Sequence, residues 1–206
     1  MSISHPRIYL ASQSPRRREL LKQIGINFEL LLLRSDPRRK IDVDETPQEN
    51  EDPVDYVRRI SRAKASVGWD ALLSRNLRPF PVLAADTTVT LDGNILGKPR
   101  DRDDAAAMLR QLSGRQHQVL SAVAVALEER VEICLSTTAV TFAALSEERI
   151  HRYLLTNEGH DKAGAYGIQG HASSFVQRIE GSYSGVMGLP LFETVELLRT
   201  FGYPAP

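Results

Sequence analysis

Cysteine occurs once in 206 residues, as Cys134, which excludes an internal disulfide and any cysteine-based metal cluster. Charge of one sign is not in excess, since 26 Lys and Arg stand against 26 Asp and Glu. A neutral chain argues against nonspecific nucleic-acid binding, which draws on a basic surplus, yet leaves room for a local basic pocket. No apolar run reaches membrane-spanning length and the N-terminus has no signal-peptide core, so a cytoplasmic chain without a membrane partner is expected. The pattern G-x-x-x-x-G-K-[ST] is missing, which disfavours a P-loop kinase or ATPase, and no G-x-S-x-G elbow is present. His5, His117, His151, His160 and His171 show no metal-ligand spacing, and only His117, opening a strand after Ser113-Gly114-Arg115, stands out. Repeats, low-complexity tracts and long linkers are absent too, which leaves a single domain over 1–206, with two lobes around one sheet.

What is present alternates between strand and helix, the pattern of an α/β fold. Residues 7–11 read as a strand, 15–24 as a helix, 27–33 as a second strand, and Arg34 to Asp52 as an acidic loop. Asp52-Pro53 with Asp55 opens a long helix toward Leu73. Pro81 to Ala85 reads as a short strand ending at Asp86-Thr87-Thr88, and Asp92-Gly93 as the turn of a hairpin. A helix from Asp101 to Ser113, strands over 117–127 and 131–142, and a helix from Ser146 to about Leu155 follow. A glycine-rich loop, 159–170, then leads to a strand near 173–179 and a closing helix from Leu191 to Phe201.

Residues out of keeping with these elements suggest chemistry. Ser12-Gln13-Ser14-Pro15-Arg16-Arg17 follows a strand and opens a helix, with Ser14 as N-cap and Pro15 at the first helical position. A helix N-terminus favours acidic neighbours, so two arginines there are anomalous unless an anion sits among them. Free amides, two serine hydroxyls and two guanidinium groups would cradle a phosphate, and the competing reading is a solvated basic first turn. Lys64 lies on a stripe with Val57, Ile60, Val67 and Ala71, and either snorkels to its edge or points into a cleft. Asp86, at the end of an apolar strand, either caps a turn or coordinates Mg²⁺ and activates a water. The stretch Asp161 to Gly170 combines Lys162, Gln169 and three glycines, which allow either close approach to a ligand or a tight structural loop.

Together these segments resemble the Maf family of nucleoside triphosphate pyrophosphatases. The resemblance runs from Leu10-Ala11-Ser12-Gln13-Ser14-Pro15-Arg16-Arg17 through Ala85-Asp86-Thr87, Leu96-Gly97-Lys98-Pro99, Leu112-Ser113-Gly114 and Asp161 to Gly170, and ends at Gly188-Leu189-Pro190-Leu191. It implies an α/β fold of two lobes around an elongated mixed β-sheet, with flanking helices and a central cleft, similar to ITPases. It also implies hydrolysis of a nucleoside triphosphate between its α and β phosphates, with Mg²⁺ or Mn²⁺. The run Ala165-Tyr166-Gly167-Ile168-Gln169-Gly170 is similar to the branch acting on dTTP and UTP.

By motif position, the resemblance makes Asp86 the general base and places Arg16, Thr87 and Gln169 at specificity positions. Ser12, Arg16, Lys64, Lys98 and Lys162 match polar or phosphate-binding positions, and Ser14 joins Ser12 in the serine cradle. The family's second acid, which assists Asp86 at the metal, falls at Asp44 or Glu45. The chain departs from the pattern at Ile60-Ser61, where Leu-Ala is usual, and is longer around 34–40 and 69–81. A homodimer is a further implication. Two other functions stand beside the main one: a pyrophosphatase for non-standard purine triphosphates, and a nucleotide-binding regulator of septation without turnover.

Overall fold

The computed structural model describes residues 7–34 and 42–204. His5 and most of the extra stretch around 34–40 fall outside these residues. The first four helices, like the short helix after Ser182, begin where short polar side chains can take an unpaired N–H, each such cap being worth about 1 kcal/mol. Ser14 caps α1 (Pro15–Gln23), Asp52 caps α2 (Pro53–Ser74), Asp101 caps α3 (Arg102–Leu112) and Ser146 caps α4 (Glu147–Leu155). Two further helices, α5 (Tyr183–Met187) and α6 (Leu191–Thr200), close the chain. The short α5 was not expected.

The strands are β1 (Ile8–Leu10), β2 (Phe28–Leu30), β3 (Val82–Leu91), β4 (Asn94–Leu96), β5 (Gln116–Leu127), β6 (Arg130–Phe142) and β7 (Val176–Glu180). Among the described residues they form one mixed sheet in the order β2-β1-β3-β5-β6-β7, with β4 beside β3. β1 runs parallel to β2 and β3, and the other pairings are antiparallel. Helices flank the sheet on both faces, as an α/β fold requires.

Three boundaries differ from expectation. β2 stops at Leu30 rather than 33. The strand expected near 173–179 starts only at Val176, because His171–Phe175 coil into a 3-10 turn. The largest correction concerns β3, which runs ten residues and carries Asp86 in its middle, not at its carboxyl end. A ladder to β5 from Val82↔Ala126 to Thr90↔Gln118 holds it, with Asp86 opposite the small Ala122. Thr87, Thr88, Val89 and Thr90 are branched residues that suit a pleated surface.

Alternation along β3 and β5 sorts side chains by face. Val82 and Ala84 of β3, with Ala124 and Ala126 of β5, pack under Ala65, Trp69 and Leu72 of α2. On the other face the core divides in two. Leu83, Ala85, Val123 and Val125 join Leu20 and Leu21 of α1 and Leu197 and Leu198 of α6. Val89, Leu91 and Val119 join Leu109 and Leu112 of α3 and Ile150 and Tyr153 of α4. Thr87 and Ser121 fall between these two cores, and their hydroxyls meet at 2.9 Å. The two lobes are therefore separated by a polar band on strands that run through both.

The buried stripe of α2 runs through Val57, Ile60, Ser61, Ala65, Gly68 and Leu72 rather than through Val67 and Ala71. Gly68 explains the shift: a Cβ there would stand 2.8 Å from Val82 Cγ1, so the helix comes closest to the sheet at that turn. Lys64 is left at the margin of the stripe, facing the middle of β3.

Candidate active site

β1 and β4 lie on the same side of β3 but do not meet. The β1 pairing ends at Leu10↔Leu83, with the Ala11 N–H donating to Leu83 O at 2.8 Å, and the β4 pairing starts at Val89↔Leu96. Between them the edge of β3 has no strand partner on that side. This notch is where the chain leaves β1 for the Ser12–Ser14 turn and α1. Successive residues of a strand point to opposite faces, so Asp86 and Thr87 flank the same gap from opposite sides of the sheet.

On the α2 face, the Lys64 ammonium donates to Asp86 Oδ1 at 2.8 Å and lies 2.9 Å from Glu45 Oε1. Lys64 thus ends on two carboxylates rather than at the solvent edge of its stripe. Asp86 is 7% exposed. Burial pushes its carboxyl above the usual carboxylate range, Lys64 and then Arg17 pull it down, and Glu45 pushes it up. Glu45 is brought in by α2 itself: the Tyr56 hydroxyl donates to the Glu45 carbonyl at 3.0 Å and Arg59 donates to the next carbonyl, of Thr46, at 3.2 Å. Asp44 instead accepts the Thr46 N–H at 2.9 Å as a local turn residue. Of the two candidate acids, Glu45 is the one that reaches Lys64.

On the opposite face stands Arg17. Its guanidinium donates to Gly188 O at 2.8 Å, to Ser12 Oγ at 3.2 Å and to Thr87 Oγ1 at 3.5 Å. All these acceptors are neutral. Burial lowers the pKa of Arg17, while Asp86 and Glu45 raise it through the sheet. Ser121 completes the band by donating to Gly185 O at 2.6 Å, which fastens α5 over β5. Ser12 Oγ also accepts the Ser14 N–H at 3.2 Å, and Ser14 Oγ accepts the Arg17 N–H at 3.4 Å as the N-cap.

The remaining expected residues do not join these bonds. Arg16 and Lys98 make no side-chain hydrogen bond among the described residues, and Lys98 and Gln169 are exposed. Lys162 donates to Asp161 Oδ1 at 2.6 Å and to the Glu158 carbonyl. Burial acts to raise the Asp161 pKa, but Lys162, His160 and Arg16 outweigh it and hold the carboxyl low, so Arg16 and this loop share one electrostatic neighbourhood. The Gly164 N–H donates to Gly97 O at 3.1 Å, which ties the same loop to the residue before Lys98. His117 takes no part, being 2% exposed and bonded through Nε2 to Tyr166 at 2.8 Å.

Sequence reasoning does not reach Tyr56, Ser121 or Glu158, and it gives Arg17 a cradle role in place of its clamp. Arg17 was grouped with Arg16 as a cradle residue, although the adjacent positions of a helix turn point about 100° apart. Tyr56 had a usable signal, two helical turns before Lys64 on the same face. Among the described residues no three His, Cys, Asp or Glu side chains gather as a metal cage. Asp86 and Glu45 form a two-carboxylate set that suits a magnesium-like ion completed by substrate oxygens, the usual arrangement in phosphoryl chemistry.

The family model and the curated relatives agree on one family. Residues 7–201 match the family model described as Maf-like protein. The dTTP/UTP pyrophosphatase of Nitrosomonas europaea is 55% identical over 195 residues, covering 95% of this chain and 94% of its own. Its namesake from Aromatoleum aromaticum is 55% identical over 199 residues, 96% and 97% of the two chains. A third, from Chromobacterium violaceum, is 50% identical over the full length of both. Among solved structures, that of the Staphylococcus aureus Ham1 protein overlaps 66% of this chain and 72% of its own, at a TM-score of 0.46 and 16% identity.

Proposed function

The chain belongs to the Maf family, and on that premise we propose that it is a hydrolase cleaving the α–β anhydride of dTTP and UTP to release the monophosphate and pyrophosphate. The observation that carries the reading is the pair of carboxylates, Asp86 and Glu45, held by one ammonium beside the notch in β3. A triphosphate carries about four negative charges near neutral pH, and Arg16, Lys64, Lys98 and Lys162 reach it from four separate segments. At the α1 N-terminus the Ser14 and Arg17 amides are taken by serine oxygens and Pro15 has none, which leaves the Arg16 N–H for an anion, while Ser12 lines the turn and Ser14, whose oxygen is occupied as a cap, keeps a proton to donate. Asp86 takes the proton of the attacking water, and its position in the middle of a strand fixes it against recoil. Gln169 reads the pyrimidine edge, with Arg16 and Thr87 restricting the base from the α1 side.

Asp86 and Glu45 would hold Mg²⁺ or Mn²⁺, with Asp44 the alternative second acid. When bound, such an ion acidifies water and neutralises phosphate charge. The proposal treats 1–206 as a single Maf-like domain acting in the cytoplasm as a homodimer on free nucleotides, without nucleic-acid or membrane partners. No helix among the described residues is long and apolar enough to cross a membrane.

Purified protein and its Asp86→Asn variant, given Mg²⁺ and a panel of dTTP, UTP, CTP, ITP and 7-methyl-GTP, provide the test through pyrophosphate release. Turnover of dTTP and UTP should fall roughly 10²–10⁴-fold in the variant. Near-normal turnover by Asp86→Asn would remove Asp86 as the base. Preference for ITP would identify the purine alternative, and binding without turnover of any nucleotide would identify a sensor.

A further inference from the structure

Lys162 and Gln169 ride on a loop whose two ends are fastened by one carboxylate. Glu158 stands just before the loop, and its Oε2 accepts the His171 N–H at 2.8 Å and lies 3.1 Å from His171 Nδ1. Its Oε1 accepts the Tyr153 hydroxyl at 3.1 Å, and that phenol oxygen in turn accepts the Gly167 N–H at 3.3 Å. The Glu158 carbonyl receives the Lys162 ammonium. Main chain and side chain of one residue thus hold the loop at its start, its middle and its end.

Gly170 finds a structural reason here. A Cβ on Gly170 would stand 2.0 Å from Glu158 Oε2 and 2.3 Å from its carboxyl carbon. Gly170 is bare so that the carboxylate can fit beneath it, immediately after Gln169. Charge-assisted bonds to main-chain N–H groups are the stronger kind, and a carboxylate satisfied in this way cannot be replaced by water without loosening the turn.

We propose that Glu158 is a positioning residue for the nucleotide, its carboxylate fixing the main chain from Gly167 to His171 that presents Gln169 toward the base, so that discrimination between bases depends on a carboxylate that never touches the substrate. This rests on the pyrophosphatase reading of the notch. In the full-length protein, Glu158→Ala should raise the KM for UTP and the Kd for a non-hydrolysable α,β-imido UTP analogue by about tenfold, the scale of one lost charged hydrogen bond. The preference for UTP over CTP should shrink by a similar factor, while kcat changes by less than about threefold. Glu158→Gln, which keeps an acceptor for the His171 N–H, should recover part of both losses.

Gly170→Ala gives an independent route, since the added methyl displaces the carboxylate without altering it, and should reproduce the Glu158→Ala profile. It carries the test if Glu158→Ala does not fold. Unchanged analogue affinity and unchanged UTP-to-CTP preference in a folded variant, even with a lowered melting temperature, would overturn the proposal. So would a loss confined to kcat. Analogue affinity separates this failure from that of the parent reading, because it is measured whether or not the wild type turns over dTTP and UTP.

Discussion

The two sides of β3 at the notch treat buried charge in opposite ways. On the α2 side, Asp86 is met by a counter-ion, and Lys64 shares itself between Asp86 at 2.8 Å and Glu45 at 2.9 Å. On the α1 side, Arg17 meets only a carbonyl and two hydroxyls. An ion pair can be opened and re-formed around an incoming charge. A guanidinium surrounded by neutral acceptors has nothing to exchange and serves to join Ser12, Thr87 and Gly188. One residue apart on a strand, the exchangeable ion pair and the Arg17 brace are kept on separate faces. His117, on the bracing side of β5, shows a third solution, since it has no counter-charge and gives up its own.

Removing the counter-ion breaks the comparison most severely. Lys64→Met should lower kcat/KM for UTP by about 10²–10³-fold, the range for deleting one preorganised electrostatic contact. Steady-state pyrophosphate release reads it, and a loss under about tenfold would place Lys64 outside the charge-handling side.

His117 tests the neutral side through pH. Burial lowers its pKa from 6.5 to about 4. Between those values the unfolded chain binds a proton that the folded chain does not. Stability should therefore decline as pH falls through this window and recover as pH rises. The contribution of this one residue is about 3 kcal/mol over the full interval. His117→Phe should flatten that part of the urea-midpoint profile, whatever its effect at pH 8. An unchanged slope would assign the decline to other groups.

The mildest perturbation sharpens the comparison. Arg17→Lys keeps the charge but loses the fork, and should cost about 1–2 kcal/mol of stability by denaturant unfolding. Any loss of turnover should follow the loss of folded structure. A variant as stable as wild type but without turnover would move Arg17 to the reactive side.

How far the sequence reaches is clear from the same residues. Helix starts were legible because caps are local: Ser14, Asp52, Asp101 and Ser146 each bond an N–H two or three residues ahead. The alternation that makes the fold α/β was legible for the same reason. The length of β3 was not, since an aspartate usually terminates a strand and its tolerance here depends on Lys64, 22 residues away, and on the small Ala122 across the ladder. Arg16 and Arg17 are indistinguishable as letters, and only the position of Gly188 separates a free cation from a clamp. Asp44 and Glu45 were likewise equivalent until Tyr56 fixed the intervening main chain. The glycines of 159–170 pointed to a close approach, and the partner that approaches Gly170 is the chain's own Glu158.

The notch is cut into a sheet whose long strands, β3, β5 and β6, pass uninterrupted beneath it from one lobe to the other. Such a beam ties the two lobes together through continuous backbone ladders rather than through a single linker. The opening is a gauge set when the protein folds. On the proposed reading, a nucleotide meets a span set by the sheet and by the fastened 159–170 loop, with Arg16 and Lys98 the long side chains left to adjust.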